Sequence, residues 1–407
     1  MKAVRGLLLL GLIWALAACQ SLPYASEGEL PPPVVVADGS TERTALNAKV
    51  YDAATGWIER HYYARDFNGH DWPAMRQAGR AEAVAQPTEE TFYARLAAVI
   101  DELDDRHTSV TSPTNRALEE AIRLGQSGVS VGFSAVRRGD RYFVTRVRPD
   151  GPAAPEGVQI GWRLVSVNGN TNPIAFQVTE GQSASYVFED EHGVEQRRTI
   201  TAVVLPSRER RDATRREDGV LVLRFEAFDS LTHTWFQEQM DAAIADPPRG
   251  IIIDVRDNGG GFAAVLGDMT ARLYGDPQVF MVMDGRFVDL KLKSVRADSH
   301  WDGPVAIMVG AGSGSASEVF AALLQETGRG PVIGETSAGA VIASRQVNLP
   351  DGGEMNLSLH MVLTGHKRRV LEGVGVTPDI VVEPPLADLR AGRDVALERA
   401  AAELLSR

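Results

Sequence analysis

The strongest constraint on the fold is an alternation of short apolar runs with amphipathic segments in the second half of the chain. "GVLVLRFEAF", "TWFQEQMDAAIA", "GIIIDVRDN", "AAVLGDMTARLYG", "GPVAIMVG", "ASEVFAALLQETG" and "PVIGET" follow one another between residues 219 and 336. The runs bounded by glycine or charge are strand-sized, and the segments between them repeat apolar residues at helical spacing. Strands alternating with helices build an α/β layer: a partly parallel sheet with helices on its faces. At 407 residues the chain is long enough for two or three domains, each with its own core.

The N-terminus reads differently. Lys2 and Arg5 precede an apolar run that stops at small residues, the architecture of an export signal and not of a spanning helix. Leu16, Ala17, Ala18 and Cys19 resemble the lipobox at which bacterial lipoproteins are cleaved and lipidated. That resemblance implies a leader over 1–19, a lipid anchor on Cys19 and, with Gln20 in place of Asp, a periplasm-facing body on the outer membrane. Cys19 is the single cysteine, so no intrachain disulfide is possible. Residues 20–42 are rich in Pro, Ser and Gly without periodicity and read as a flexible tether.

Residues 43–118 read as a helical domain, with Leu46, Val50, Ala53, Trp57 and His61 at helical spacing and Phe92, Leu96, Ile100 and Leu103 repeating the pattern. A helix opening is expected around Thr91. Over 119–206 the period shortens to alternating strands punctuated by glycine, with a hairpin in "YVFEDEHGVEQRRTITAVVLP". This block resembles a PDZ domain: "GVSVGF" (Gly128, Val129, Ser130, Val131, Gly132, Phe133) stands where such domains bind a peptide's terminal carboxylate, and "GWRLVSVNG" matches the following strand. The resemblance implies recognition of peptides by strand addition. "SRERRDATRREDG" is a mixed-sign run that reads as a solvated linker. The α/β core is expected over 207–385 and a terminal helix over 386–407. The formal net charge of −12 argues against a sequence-independent hold on nucleic acid.

Within the core, "IMVGAGSGSASEVFAALL" runs from a buried strand through a glycine turn into a helix that begins at Ser315. A serine there exposes its hydroxyl, sets the next N–H where an oxyanion could bind, and lies at the positive end of the helix dipole. Ser315 and Glu318 also form S-x-x-E, a capping box that needs no catalysis. The triple glycine Gly259, Gly260, Gly261, ending the strand "IIIDVRDN", can bring backbone N–H groups to a ligand carbonyl. A base must come from the eight histidines, of which His107 in "LDDRHTSV" ends a helix among acids; spacing alone leaves the choice open. There is no H-E-x-x-H, C-x-x-C or G-x-x-x-x-G-K, so neither metal nor other cofactor is expected.

"GSASEVFAALLQETGRGPVIGETSAGA", "IIIDVRDNGGG" and "LEGVGVTPDIVVE" resemble the nucleophile, oxyanion-loop and C-terminal motifs of the C-terminal processing peptidases and tricorn-core proteases, and "ELDDRHT" is similar to the tricorn-like helical domain. The resemblance implies a multidomain α/β protein with a helical N-terminal domain, a PDZ-like domain and a crotonase-like serine-peptidase core. In the processing peptidases a lysine activates the serine, and Ala340 occupies its place here. The tricorn-like arrangement implies instead Ser315 as nucleophile, His107 as base and Glu372 orienting it, with Gly259 or Gly260 and Ala316 forming the oxyanion hole; Arg106 departs from the serine that precedes the tricorn histidine. The expected function is an envelope serine endopeptidase that takes peptides or proteins, selected through their C-termini. A catalytically inactive PDZ scaffold and a binder or hydrolase of small apolar ligands are the alternatives.

Overall fold

The computed structural model describes residues 32–406 except 106, 117–127, 139, 172–179, 207, 287 and 288. Cys19, the leader and the first part of the tether lie outside the described residues. The chain divides into two compact units, one of residues up to 117 with 283–290 and 342–361, the other of 118–282, 291–341 and 362–407.

The first unit is built on three helices, Thr41–His61, Trp72–Val84 and Glu89–Asp101. Each starts on a side chain that accepts an otherwise orphaned N–H: Ser40 from Arg43, Asp71 from Ala74, Thr88 from Thr91. Thr88 and Thr91 close reciprocally, which sets the third helix's opening just ahead of the position expected. Val50, Tyr51, Ile58, Phe92, Leu96 and Ile100 form its core, joined by Val347, Leu349, Met355 and Leu357 from much later in the chain. Those four belong to an antiparallel hairpin of Ile342–Asn348 and Glu354–Thr364, against which Ser109–Thr111 also pairs. The helical domain expected over 43–118 is thus completed by a distant β-hairpin, a pairing that local periodicity does not reveal.

In the second unit, Phe133–Arg138, Arg141–Val147, Arg163–Val167, Ser183–Glu189 and Glu195–Thr201 form an antiparallel five-stranded sheet in chain order. Val144, Val158, Trp162, Tyr186, Phe188 and Ile200 fill its core. The last two strands are the expected hairpin. Gly128–Ser130 pairs outside this sheet, antiparallel to Val203–Leu205.

The remaining sheet has six strands in the order Ile380–Val381, Val332–Gly334, Val305–Val309, Gly250–Asp254, Val220–Phe225 and Arg211–Arg215. The first five are mutually parallel and the last is an antiparallel edge. Residues 211–215, read from sequence as linker, are therefore a strand. Their side chains present charge and no apolar face, and they join the sheet through the backbone alone, as a protected edge does. Side chains alternate between faces along each strand. Ile252, Ala306, Met308 and Ile333 pack under Ala396, Ala400, Ala401 and Leu404 of helix Val395–Leu405, while the alternate residues Ile251, Ile253 and Ile307 are fully buried on the opposite face. Phe225, Phe228, Phe236 and Phe320 meet edge to face. The expected terminal helix is two, Leu386–Arg390 and Val395–Leu405, parted at Gly392, whose φ is +67°. No described helix is long and apolar enough to cross a membrane.

Candidate active site

Strand Val305–Val309 ends in Gly310, and the chain turns through Gly312 and Gly314 into helix Ala316–Thr327. Buried Ser313 fixes the turn, donating to the Val255 carbonyl at 2.7 Å and accepting the Gly310 N–H at 3.0 Å. Ser315 then occupies the N-cap with φ +51° and ψ −115°. An ordinary N-cap residue sits in the extended region. A positive φ on a non-glycine residue costs on the order of 1–3 kcal/mol and persists only where its surroundings impose it.

Those surroundings are hydrogen bonds. The Ser315 N–H donates to the Ala340 carbonyl at 2.9 Å and to Glu318 Oε2 at 3.0 Å. Glu318 is fully buried and accepts three further donors: the Ser337 hydroxyl at 2.6 Å, the Gly339 N–H at 2.7 Å and the Ala340 N–H at 2.9 Å. Burial holds its carboxyl above the usual carboxylate range, and the four donors offset that only in part. The S-x-x-E spacing therefore does more than cap a helix: it ties the serine turn to segment 337–340. Ala340, at the position expected from resemblance to hold a lysine, takes part through both its backbone polar groups.

The triple-glycine loop closes the other side. Asn258, with no exposure, donates Nδ2 to the Phe225 carbonyl at 3.1 Å, while its own carbonyl accepts the Gly314 N–H at 3.0 Å and the Ser317 hydroxyl at 2.8 Å. Its Oδ1 accepts the Gly260 N–H at 2.8 Å. That bond commits the Gly260 amide, which leaves Gly259 and Ala316 as the candidate oxyanion donors. Gly260 has φ +108°, and a Cβ on it would stand 2.6 Å from the Ser315 Cβ. Only glycine fits there.

Glu372 is half-buried, and its Oε2 accepts the Val341 N–H at 2.6 Å; the next residue, Gly373, donates to the Gly339 carbonyl at 2.8 Å. Ser315, Gly259, Gly260, Ala316 and Glu372 thus lie in the second unit on three segments, the glycine loop, the serine turn and the Glu372 loop, the last tied to residues 339–341. His107 belongs to the first unit, in a turn where its N–H donates to Asp105 Oδ1 at 2.9 Å and its carbonyl accepts from Asn356 at 2.7 Å. The carboxyl of Asp105 also accepts the Thr108 hydroxyl at 2.6 Å, so the backbone that carries the imidazole is pinned.

In the glycine-rich loop of the β-rich module, Gly128, Val129 and Ser130 pair with Leu205, Val204 and Val203. The Gly132 N–H donates to Ser130 Oγ at 3.0 Å, and the Val131 carbonyl accepts the Ala153 N–H at 3.0 Å. Phe133 packs on Tyr186 and Phe188. Asn258, Ser313, Ser317 and Ser337 escaped the sequence reading, since short polar residues among glycines look like solvated turn and their partners lie up to 59 positions away. No group of His, Cys, Asp and Glu among the described residues could hold a metal ion.

Residues 219–382 match the model of peptidase family S41. The chain is 24% identical over 356 residues to the chloroplastic C-terminal processing peptidase of Tetradesmus obliquus, spanning 80% of this chain and 75% of that one. It is 23% identical over 366 residues to the carboxyl-terminal-processing protease of a Picosynechococcus species, spanning 86% of this chain and 87% of that one. Among solved structures, the photosystem II D1 C-terminal processing protease superposes with a TM-score of 0.64 at 20% identity, covering 88% of this chain and 97% of that one. Mature CPAF superposes with a TM-score of 0.62 at 12% identity, over 90% and 97%.

Proposed function

We propose that this chain, whose residues 219–382 match the model of peptidase family S41, is a serine-type endopeptidase of the bacterial cell envelope acting through Ser315, His107 and Glu372. Ser315 Oγ attacks the peptide carbonyl carbon as His107 takes its proton. The oxyanion is held by the N–H groups of Ala316 and Gly259 at the positive end of helix Ala316–Thr327. Collapse breaks the C–N bond, and the amine leaves with the proton from His107. Water then attacks the acyl-serine by the same base, releasing the acid and restoring Ser315. Glu372 holds the imidazole in its working tautomer. Module 119–206 selects substrates by adding their C-terminal strand beside residues 128–133, and the lipid on Cys19 holds the body at the outer membrane, facing the periplasm.

The observation that carries this reading is the backbone of Ser315, held at φ +51° by bonds to Glu318 of its own helix and to the Ala340 carbonyl, where a plain cap needs no such strain. Ala340 in the family's lysine position favours a second reading, an inactive scaffold that only binds peptides. Fluorophosphonate labelling of residues 20–407 separates the two. Labelling lost in both Ser315→Ala and His107→Ala supports the peptidase mechanism. Loss in Ser315→Ala alone removes His107 from it, and an unlabelled wild type with its circular dichroism intact supports the scaffold.

A further inference from the structure

A cavity of about 370 Å³ lies within the second unit, at the carboxyl ends of the parallel strands Gly250–Asp254, Val305–Val309 and Val332–Gly334. Ser315 does not line it; the turn residues Gly310, Ala311 and Gly312 do, together with Thr145 and Arg146 of the β-rich module. This is the size of a small-molecule site, in the place where open α/β sheets take ligands.

The charges around it are unevenly shared. Arg146 and Arg224 both donate to one oxygen, Oδ2 of Asp257, at 3.0 and 2.7 Å. Beyond the rim, Glu226 takes Arg208 at 2.6 Å, Arg146 at 3.4 Å and Arg210 at 3.7 Å. Four guanidinium groups thus share two carboxylates at this end, in a chain of net charge −12. Arg224 reaches a further carboxylate, Asp254, only at 3.9 Å. On the far wall Glu335 and Asp394 add negative charge, but Arg256 engages Asp394 through both its oxygens. A guanidinium presents five donors in a planar fork, and the shared Asp257 oxygen takes one bond from each of Arg146 and Arg224, bidentate to neither.

We propose that this cavity binds a small multivalent oxyanion, a polycarboxylate or a phosphate, clamped between Arg146 and Arg224. Such a ligand satisfies both forks with bidentate bonds that a single Asp257 oxygen cannot supply. It also bridges the β-rich module to the loop that carries Gly259, two residues after Asp257. The assignment is independent of how Ser315 is activated.

The test is calorimetric titration of the full chain in mild detergent with citrate and with pyrophosphate, at ionic strength matched by sodium chloride. Saturable binding is expected with at least one of them, weakened at least about tenfold in Arg224→Gln and in Arg146→Gln. Arg224→Lys keeps the charge but loses the fork, and is expected to bind more weakly than wild type. Binding of citrate alone assigns a carboxylate ligand, and binding of pyrophosphate alone a phosphate. Because either Gln variant leaves Asp257 less well paired, Arg393→Gln, on an exposed lining residue, provides a milder reduction of the cavity's charge. The proposal falls if neither anion binds wild type beyond the chloride control, or if binding is equal in all the folded variants.

Discussion

Replacing Glu318 by Gln sets two opposed forces on the same buried atoms against each other. The carboxylate accepts four donors, two on each oxygen, and is fully buried. A neutral amide escapes the cost of burying charge, but it offers one accepting oxygen and turns an NH2 towards the donors on the other side. If the NH2 faces Ser337 and Gly339, the hydroxyl can rotate but the Gly339 N–H is orphaned; if it faces Ala340 and Ser315, both N–H groups lose that acceptor. The Ser315 N–H keeps the Ala340 carbonyl, so either orientation orphans one buried donor, at a cost of about 1–3 kcal/mol. The loss is local, and the suitable assay is amide hydrogen exchange at Ser315, Gly339 and Ala340 under native conditions. At about 1.36 kcal/mol per decade, exchange there should quicken by about 5- to 150-fold, while amides of strand Gly250–Asp254 keep their protection. Fluorophosphonate labelling should slow in parallel, because the strained Ser315 backbone loses a tether. Exchange unchanged or slower in Glu318→Gln would refute the reasoning, for it would mean that desolvation of the charge outweighs the four bonds.

Two further outcomes follow from the same geometry. Gly260→Ala places a Cβ 2.6 Å from the Ser315 Cβ at a φ of +108°, so the folded variant should lose most of its labelling rate while circular dichroism shows the sheet and helices intact. Asp254 and Asp394 flank Arg256, which holds both carboxyls below the usual carboxylate range against the opposing effect of burial. A depressed folded pKa gives stability that is complete above the unfolded value near 3.9 and lost as pH falls through the folded values. The urea midpoint should therefore drop below about pH 4, and Asp394→Asn should lower it at neutral pH and flatten the acid limb.

The sheet was legible because its strands are buried on both faces: "GIIID" and "VAIMV" are continuous apolar runs that leave no choice of surroundings. Ser315 was legible as a strand-to-helix turn, because its flanking elements declare themselves by period. Arg211–Arg215 was not, since an edge strand held by backbone bonds needs no apolar side chains. The hairpin that completes the helical unit was hidden for a different reason, as Tyr93 reaches Asp351 across 258 positions. Glu318 illustrates both cases. Its spacing from Ser315 marked a cap, whereas its bonds to Ser337, Gly339 and Ala340 depend on how the chain returns.

Helix Val395–Leu405 has a consequence for the order in which the molecule is made. It supplies Ala396, Ala400, Ala401 and Leu404 to one face of the central sheet, and Asp394 at its start receives the Arg256 guanidinium. Until that helix has been made and docked, Ile252, Ala306, Met308 and Ile333 have no cover, and the strands on which Ser315 and the glycine loop are hung cannot settle. A peptidase assembled this way stays harmless until that helix is in place. Its cleavage power arrives with that helix, so a product truncated before Val395 is also a disarmed one.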